Sequence, residues 1–413
     1  MINKDNSKAW FTGNMLLLGI ISFFADVSGE MMTPVLPLLI AELGGSNLII
    51  GFIGGFGDAV ANIVKVFSGY LADITGRRKF LISIGYSIPF FAKFGIGIST
   101  SWVQILILKP IERLGKGIRG PPRDALLADL VSYELRGKAF GFHRTMDTAG
   151  AIIGSFLALG IVIIFFDSFH SSLSILQLII IISAFIALLA VIPILFLTDS
   201  SKEIEKRKIK NLTLLKSIIN LPKPFFKFLF ITTIFGLSNF TILIFIIHTK
   251  TVILGIDETT SLFLQTAIPI FLFIVFNITY TLLSIPFGSL SDRYGRKRIF
   301  GFGLMLYIIT TLGMAISSDL FILIPIFGIY GAFNAATDGI QKAFAVDLLP
   351  SEYKGTGIGL LQTIMGLASV GGGIIAGALY DINASFAFCY GAIVALFALF
   401  LLFMWDFELE KED

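Results

Sequence analysis

The stretch GYLADITGRRK, residues 69–79, returns 219 residues later as GSLSDRYGRKR, residues 288–298. Gly69, Asp73, Gly76 and Arg77 stand where Gly288, Asp292, Gly295 and Arg296 stand in the second copy. A second pair of segments follows at almost the same offset. Residues 125–141, with Asp129, Glu134, Arg136, Gly137 and Gly141, match residues 343–359, with Asp347, Glu352, Lys354, Gly355 and Gly359. Two motifs repeated in one order at one period mark an internal duplication, so the chain is built of two related halves.

Both charged stretches sit between long apolar runs. Runs of spanning length cover about residues 10–41, 48–72, 80–99, 102–122, 139–166 and 173–197, then 225–254, 261–287, 299–317, 320–345, 356–380 and 385–405. A bilayer-crossing helix needs ~20 predominantly apolar residues, so each half holds six spans. The balance of residue types agrees: 55% are apolar and 14% charged, with a mean hydropathy of +0.88. The first run continues through Asp26 to Leu39 with no small-residue cleavage site, which makes it a retained span and not a secretion signal. The predicted fold is an all-α integral membrane protein. Its domains are an N-terminal six-helix bundle at 1–198, a polar linker at 199–223 and a C-terminal bundle at 224–413.

Lys and Arg are retained on the cytoplasmic side of short connections. Residues 42–47, 99–101, 167–172, 257–260, 317–319 and 381–385 contain neither. The alternate connections carry Arg77, Arg78 and Lys79, Arg136 and Lys138, the basic linker, 293–298, and Lys354. Both termini are therefore expected in the cytoplasm, with the chain multi-pass in the cell membrane. Each half begins and ends on the same side, which makes the repeats parallel. A formal net charge of +3 gives no reason to expect nucleic acid as a partner. The single cysteine, Cys389, excludes an intrachain disulfide. There is no nucleotide-binding loop to supply ATP drive, no catalytic constellation and no cofactor motif, so no enzymatic activity is expected.

With the spans and the duplication in view, G-x-L-x-D-x-x-G-R-[RK] between the second and third spans of each half resembles the loop signature of the major facilitator superfamily. The resemblance covers essentially the whole chain. It implies twelve helices in two pseudo-symmetric bundles, alternating access to a central site, a monomer and a small-molecule substrate. It also implies that Asp73 and Asp292 latch the cytoplasmic side by meeting positive helix ends near Gly355 and Gly137. The first copy has Ile74 where Arg293 stands in the second, which weakens that latch. The fourth span, with Glu112, Arg113, Gly115, Lys116 and Gly117, is similar to the superfamily pattern in which an Arg serves proton coupling. Gly141, Gly150 and Gly154 of the fifth span resemble the antiporter branch, although Ser155 and Ala158 replace its Pro and last Gly. Family aside, small residues four apart let helix backbones approach closely.

Ionisable side chains within spans are costly and mark functional sites by default. The first half holds many. Asp26 and Glu30, four apart, share one face of the first span. Asp58, Asn62 and Lys65 follow on the second and Lys93 on the third. Lys109, Glu112, Arg113, Lys116, Arg119 and Arg123 run along the fourth, and His143, Arg144 and Asp147 open the fifth. The second half offers His248, Lys250, Asp338 and Lys342, with neutral Asn239, Gln265, Asn277, Tyr280, Asn334 and Gln362. Coupling and charge recognition are accordingly expected in the N-terminal half.

Asp26 and Glu30 are expected to carry protons or bind substrate, with ion pairs to Lys65, Lys93 or Arg144 as the structural alternative. Asp58 is expected to pair with Lys65, and Asp147 to couple or to pair. Glu112 and Arg113 point about 100° apart and are expected to bond different helices. Arg113, Lys116 and Arg119, at every third position, form a stripe suited to anionic groups of a substrate. Met31 and Met32 beside Glu30 admit a divalent-metal exporter as an alternative, although no metal site is assigned. The functional expectation is proton-coupled export of a small organic solute. A symporter or facilitator, and outside transport a membrane sensor, are the other readings.

Overall fold

The computed structural model describes residues 12–131, 136–168, 171–198, 219, 221–256, 261–317, 319–350 and 353–407. Most of the linker, Glu134, Glu352 and the side chain of Asp73 lie outside the described residues. In hydrocarbon every backbone polar group needs an internal partner, so apolar runs of this length become helices. The first half contains α1 (Gly13–Met32), α2 (Leu36–Glu42), α3 (Asn47–Thr75), α4 (Arg78–Gly97), α5 (Trp102–Asp129), α6 (Arg136–Phe165), α7 (Ser172–Leu189) and α8 (Ile192–Leu195). The second contains α9 (Lys223–Ser238), α10 (Ile242–Ile256), α11 (Leu262–Tyr294), α12 (Arg296–Ile316), α13 (Leu320–Asp347), α14 (Lys354–Ile382) and α15 (Ala384–Met404).

Among the described residues eleven helical segments are long and apolar enough to cross a membrane. The twelfth span is α5, whose 28 residues would cross but whose polar content is too high for that criterion. Three predicted runs prove to be broken. The first divides into α1 and α2 at residues 33–35, beside Pro34 and Pro37, because proline removes a donor and clashes with the preceding turn. The sixth divides into α7 and α8 ahead of Pro193. The seventh divides into α9 and α10 at residues 239–241 with no proline present. Carbonyls freed at that break are taken by tyrosines: Tyr390 donates to the Leu237 carbonyl at 3.0 Å, and buried Tyr307 donates to that of Ser238.

By packing, the chain divides into two compact units, one of residues 1–44 and 60–207, the other of residues 45–59 and 208–413. One dividing line runs through α3, whose first part groups with unit 2.

In unit 1, α1 packs along α6 and α4 along α5. A methyl group at Gly150 would stand 2.5 Å from the Phe23 carbonyl, and one at Gly154 would collide with that of Val27. A methyl at Gly115 would stand 2.7 Å from the Gly85 carbonyl and from Pro89. These glycines let helix backbones touch. Unit 2 has an aromatic core, with Phe245 stacked on Tyr330 at 4.4 Å and Phe235 edge-on to Tyr307 at 5.4 Å. The early part of α3 enters it through a glycine seam: methyls at Gly55 and Gly377 would lie 2.5 Å from the carbonyls of Ser369 and Asn47. Asp381 closes the seam. Its Oδ1 accepts from the Asn47 backbone at 3.0 Å and side chain at 2.9 Å, and its Oδ2 from the Leu48 backbone at 3.1 Å. The carboxylate thus caps the N-terminus of α3.

The repeated loops turn through glycine at positive φ, 65° at Gly76 and 96° at Gly295, where a side chain would be strained. Beyond that turn the copies fall out of step by one residue. Sequence matching pairs Arg77 with Arg296, yet α4 begins at Arg78 and α12 at Arg296. Arg78 bonds Asp129 as Arg296 bonds Asp347, the latter at 3.3 Å. Lys79 donates to the Leu195 and Leu197 carbonyls at the end of the sixth span, at 3.1 and 2.6 Å. Lys297 donates to that of Trp405 after α15, at 2.9 Å. Within each unit the basic part of the loop therefore ties the third span to the ends of the fourth and the sixth.

Candidate functional site

Unit 1 holds an open cavity formed by α1, α4, α5 and α7, with about 490 Å³ of atom-free space when the solvent at its mouth is included. Its chemistry follows from helix spacing. On α1, Ser22, Asp26 and Glu30 recur at every fourth position and form one polar face. Phe23 and Val27 turn their backbone carbonyls to α6. The glycine contact of α4 with α5 brings Arg119 beside Gly85. Arg119 donates to the Gly85 carbonyl at 3.3 Å and lies over the Tyr86 ring at 4.4 Å, a cation–π arrangement.

Asp26, Glu30, Lys93, Lys109, Glu112, Arg113, Lys116 and Arg119 all line the cavity. Buried Glu112 accepts from Lys109 at 2.9 Å and lies 3.7 Å from Arg113. Lys93, 2% exposed, donates to the Ser28 hydroxyl at 2.6 Å, which donates onward to the Ser183 carbonyl at 2.5 Å. Asp26 and Glu30 have no hydrogen bond or ion pair among the described residues. They feel charges at longer range: Asp147, Lys116, Arg119 and Arg123 act on Asp26, and Lys116, Arg113 and Lys93 on Glu30.

Next to Asp26 along α1 lies a polar cluster. His143 Nε2 is 2.6 Å from the Ser22 hydroxyl, and its Nδ1 is 3.4 Å from an Asp147 oxygen. Arg123 also donates to Ser22, at 3.1 Å, and the Tyr86 hydroxyl is 3.5 Å away. Asp147 Oδ1 is buried without a hydrogen-bond partner. A serine, a histidine and a carboxylate in line offer a route for protons, with the histidine able to accept at one nitrogen and donate at the other.

Five of the eight expected cavity residues, Asp26, Glu30, Glu112, Arg113 and Lys116, meet at this cavity. Asp147 joins through His143. Arg144 is exposed and is not a lining residue, and Asp58 lies on the part of α3 that groups with unit 2. Lys65 donates to Asn62 at 2.9 Å. The expectation that Glu112 and Arg113 bond different helices meets, at Glu112, two ion pairs within α5. Among the described residues Glu112 pairs with Lys109 one turn back and with Arg113 one residue on, because long side chains span the angle between adjacent positions.

Asp292 pairs with Arg296 at 2.6 Å. α6 and α14 begin one residue before Gly137 and Gly355, so both places are helix starts. Met31 and Met32 are buried in packing, and among the described residues no group of three or more His, Cys, Asp or Glu is placed to hold a metal ion. Sequence reasoning did not single out Ser22, Tyr86 or Ser28. Only the four-residue spacing of Ser22 from Asp26 could have signalled the first.

In unit 2, His248 is engaged at both nitrogens, by Tyr380 at 2.9 Å and the Met314 carbonyl at 3.2 Å. Asp338 accepts from Tyr280 and Lys342, each at 3.0 Å.

The sequence model of the Major Facilitator Superfamily matches residues 18–275 and 228–413. An uncharacterized MFS-type transporter of Methanocaldococcus jannaschii is 38% identical over 403 residues, covering 97% of each chain. Multidrug resistance protein 1 of Bacillus subtilis is 24% identical, over 93% of this chain and 94% of its own. Among solved structures, the nucleoside transporter NupG aligns with a TM-score of 0.75 at 16% identity, covering 95% of this chain and 98% of the other.

Proposed function

This chain belongs to the Major Facilitator Superfamily, and from that premise we propose that it is a proton-coupled secondary active transporter of a small organic solute, working by alternating access. The observation that carries the reading is the unit 1 cavity. Asp26 and Glu30 line it with no ion-pair partner among the described residues, close to several cations. A carboxylate so placed can gain and lose a proton as the cavity opens to one side and then the other. The Asp147–His143–Ser22 cluster provides the route by which the proton reaches Asp26, one turn from Ser22 on α1. The chain acts as a monomer in the cell membrane with both termini cytoplasmic. Asp73 and Asp292 serve as the cytoplasmic latch.

Two directions of coupling have support. Export by antiport is the expectation from the glycines of α6, and similarity to a multidrug resistance protein supports it. Symport is favoured by the cationic excess of the cavity. Proteoliposomes loaded with a pH-sensitive dye separate the two with no imposed gradient. External solute that acidifies the lumen marks symport, and alkalinisation marks antiport. Asp26→Asn is expected to abolish either signal; a solute-evoked proton flux unchanged in that variant removes Asp26 from coupling.

A further inference from the structure

The charges of the cavity identify the class of solute, given the reading of that cavity as the solute site. Five cations line it against three carboxylates. Glu112 is already committed to Lys109 and Arg113. The other three cations have no carboxylate at ion-pair distance among the described residues. Lys93 rests on a serine hydroxyl, Arg119 on a backbone carbonyl and an aromatic ring, and Lys116, an exposed side chain, has neither hydrogen bond nor ion pair among the described residues. Cations held among neutral dipoles within a membrane are costly to maintain. That cost is relieved when an anion arrives.

We infer that the solute carries a carboxylate or phosphate group that seats among Lys93, Lys116 and Arg119, and that proton binding at Asp26 or Glu30 strengthens its binding.

The second clause follows from the neighbours of the two carboxylates. From α5, Arg113, Lys116, Arg119 and Arg123 act on them; from α4, Lys93; from α6, Asp147, with His143 bridging it to Ser22. α7 and α8, which also pack against α1, contain no titratable residue. A proton on Asp26 or Glu30 removes a negative charge that faces the same cations, and leaves them to the incoming anion. Anion and proton therefore favour one another, and by reciprocity each raises the affinity of the other by the same factor. A cationic solute would compete with the proton instead. Coupling of this sign is symport.

The test uses the purified full chain in detergent, since a ligand that binds the folded state raises the unfolding midpoint. The probes are benzoate and glycerol 3-phosphate as the two anion types, tetraphenylphosphonium as a cation and glucose as a neutral compound. At least one anion is expected to raise the midpoint, and more so at about pH 5.5 than at about pH 7.5. Which anion does so distinguishes a carboxylate from a phosphate. Lys116→Gln should weaken that anion's binding about tenfold or more, as loss of a charged hydrogen bond would, and Lys116→Arg should restore most of it. Asp26→Asn should retain anion binding and lose much of its pH dependence.

Stabilisation by tetraphenylphosphonium alone, abolished by Asp26→Asn, would overturn the anionic class and leave the cavity as the solute site. Stabilisation by any probe that neither variant alters would overturn the cavity reading itself. Failure of both anions at both pH values would also overturn the inference.

Discussion

Glu112 is the residue on which the cationic wall of α5 depends. It lies between Lys109 and Arg113 with its side chain 7% exposed, and removing one partner of a buried ion pair strands the others. Glu112→Gln is expected to destabilise the chain by about 3 kcal/mol, measured as a lowered unfolding midpoint in detergent. The arginines of the repeated loop give a sharper comparison. Arg78 and Arg296 occupy equivalent places in their units, and their pairs are partly exposed. Arg78→Ala and Arg296→Ala should therefore cost similar amounts, about 1 kcal/mol or less, whereas Arg77→Ala should cost less than either. Equal effects at 77 and 78 would refute the one-residue offset. Matching letters could not reveal that offset, because consecutive basic residues align equally well in two registers. The cavity carboxylates were legible for the opposite reason: a charge in an apolar run stands out whatever its partners are. Those partners were not legible. Ser22 and Tyr86 look like ordinary span residues until α4, α5 and α6 are brought against α1.

Among the helices, hydropathy located the eleven apolar spans, since the averaging window is about as long as a bilayer crossing, and α5 was legible by its length between two connections. The same averaging conceals a break of three residues, which is why 33–35 and 239–241 read as continuous. The second break depends on tyrosines supplied by α12 and α15. Tyr390→Phe removes one hydrogen bond and should cost about 1 kcal/mol. Tyr307→Phe, at a fully buried site, should cost at least as much, and the pair together should raise hydrogen exchange of residues 239–243 selectively. Helix contacts through glycine make a parallel prediction. Gly115→Ala places a methyl against the backbone of α4, and overpacking of this kind costs about 1 to 3 kcal/mol. Its effect should reach function as well, because the same contact holds Arg119 at the cavity. Weakened anion binding with Lys116 intact is the expected signature.

For the molecule as a whole, the duplication and the charge alternation of the loops sufficed to define two six-span halves. The boundary through α3 was not accessible by that route, because it is set by packing and not by chain order. Residues 45–59 belong to unit 2 through the glycine seam and the Asp381 cap. Asp381→Ala should loosen that attachment by about 1 kcal/mol. Faster amide exchange at Asn47 and Leu48, with α5 unchanged, is the measurement that would show it; protection equal to the parent chain would mean the seam holds without its cap.

The Asp381 cap also bears on how the chain is made. Asn47 and Asp381 are 334 positions apart, and synthesis at about 5 to 20 residues per second separates them by tens of seconds. During that interval the early part of α3 has entered the bilayer while its eventual neighbours on α14 do not yet exist. Its glycine-lined side lacks its final partner until the ribosome has almost finished. Unit 2 is therefore completed last by the segment inserted among the first, and a ribosome stalled after α13 should leave residues 47–55 open to labelling.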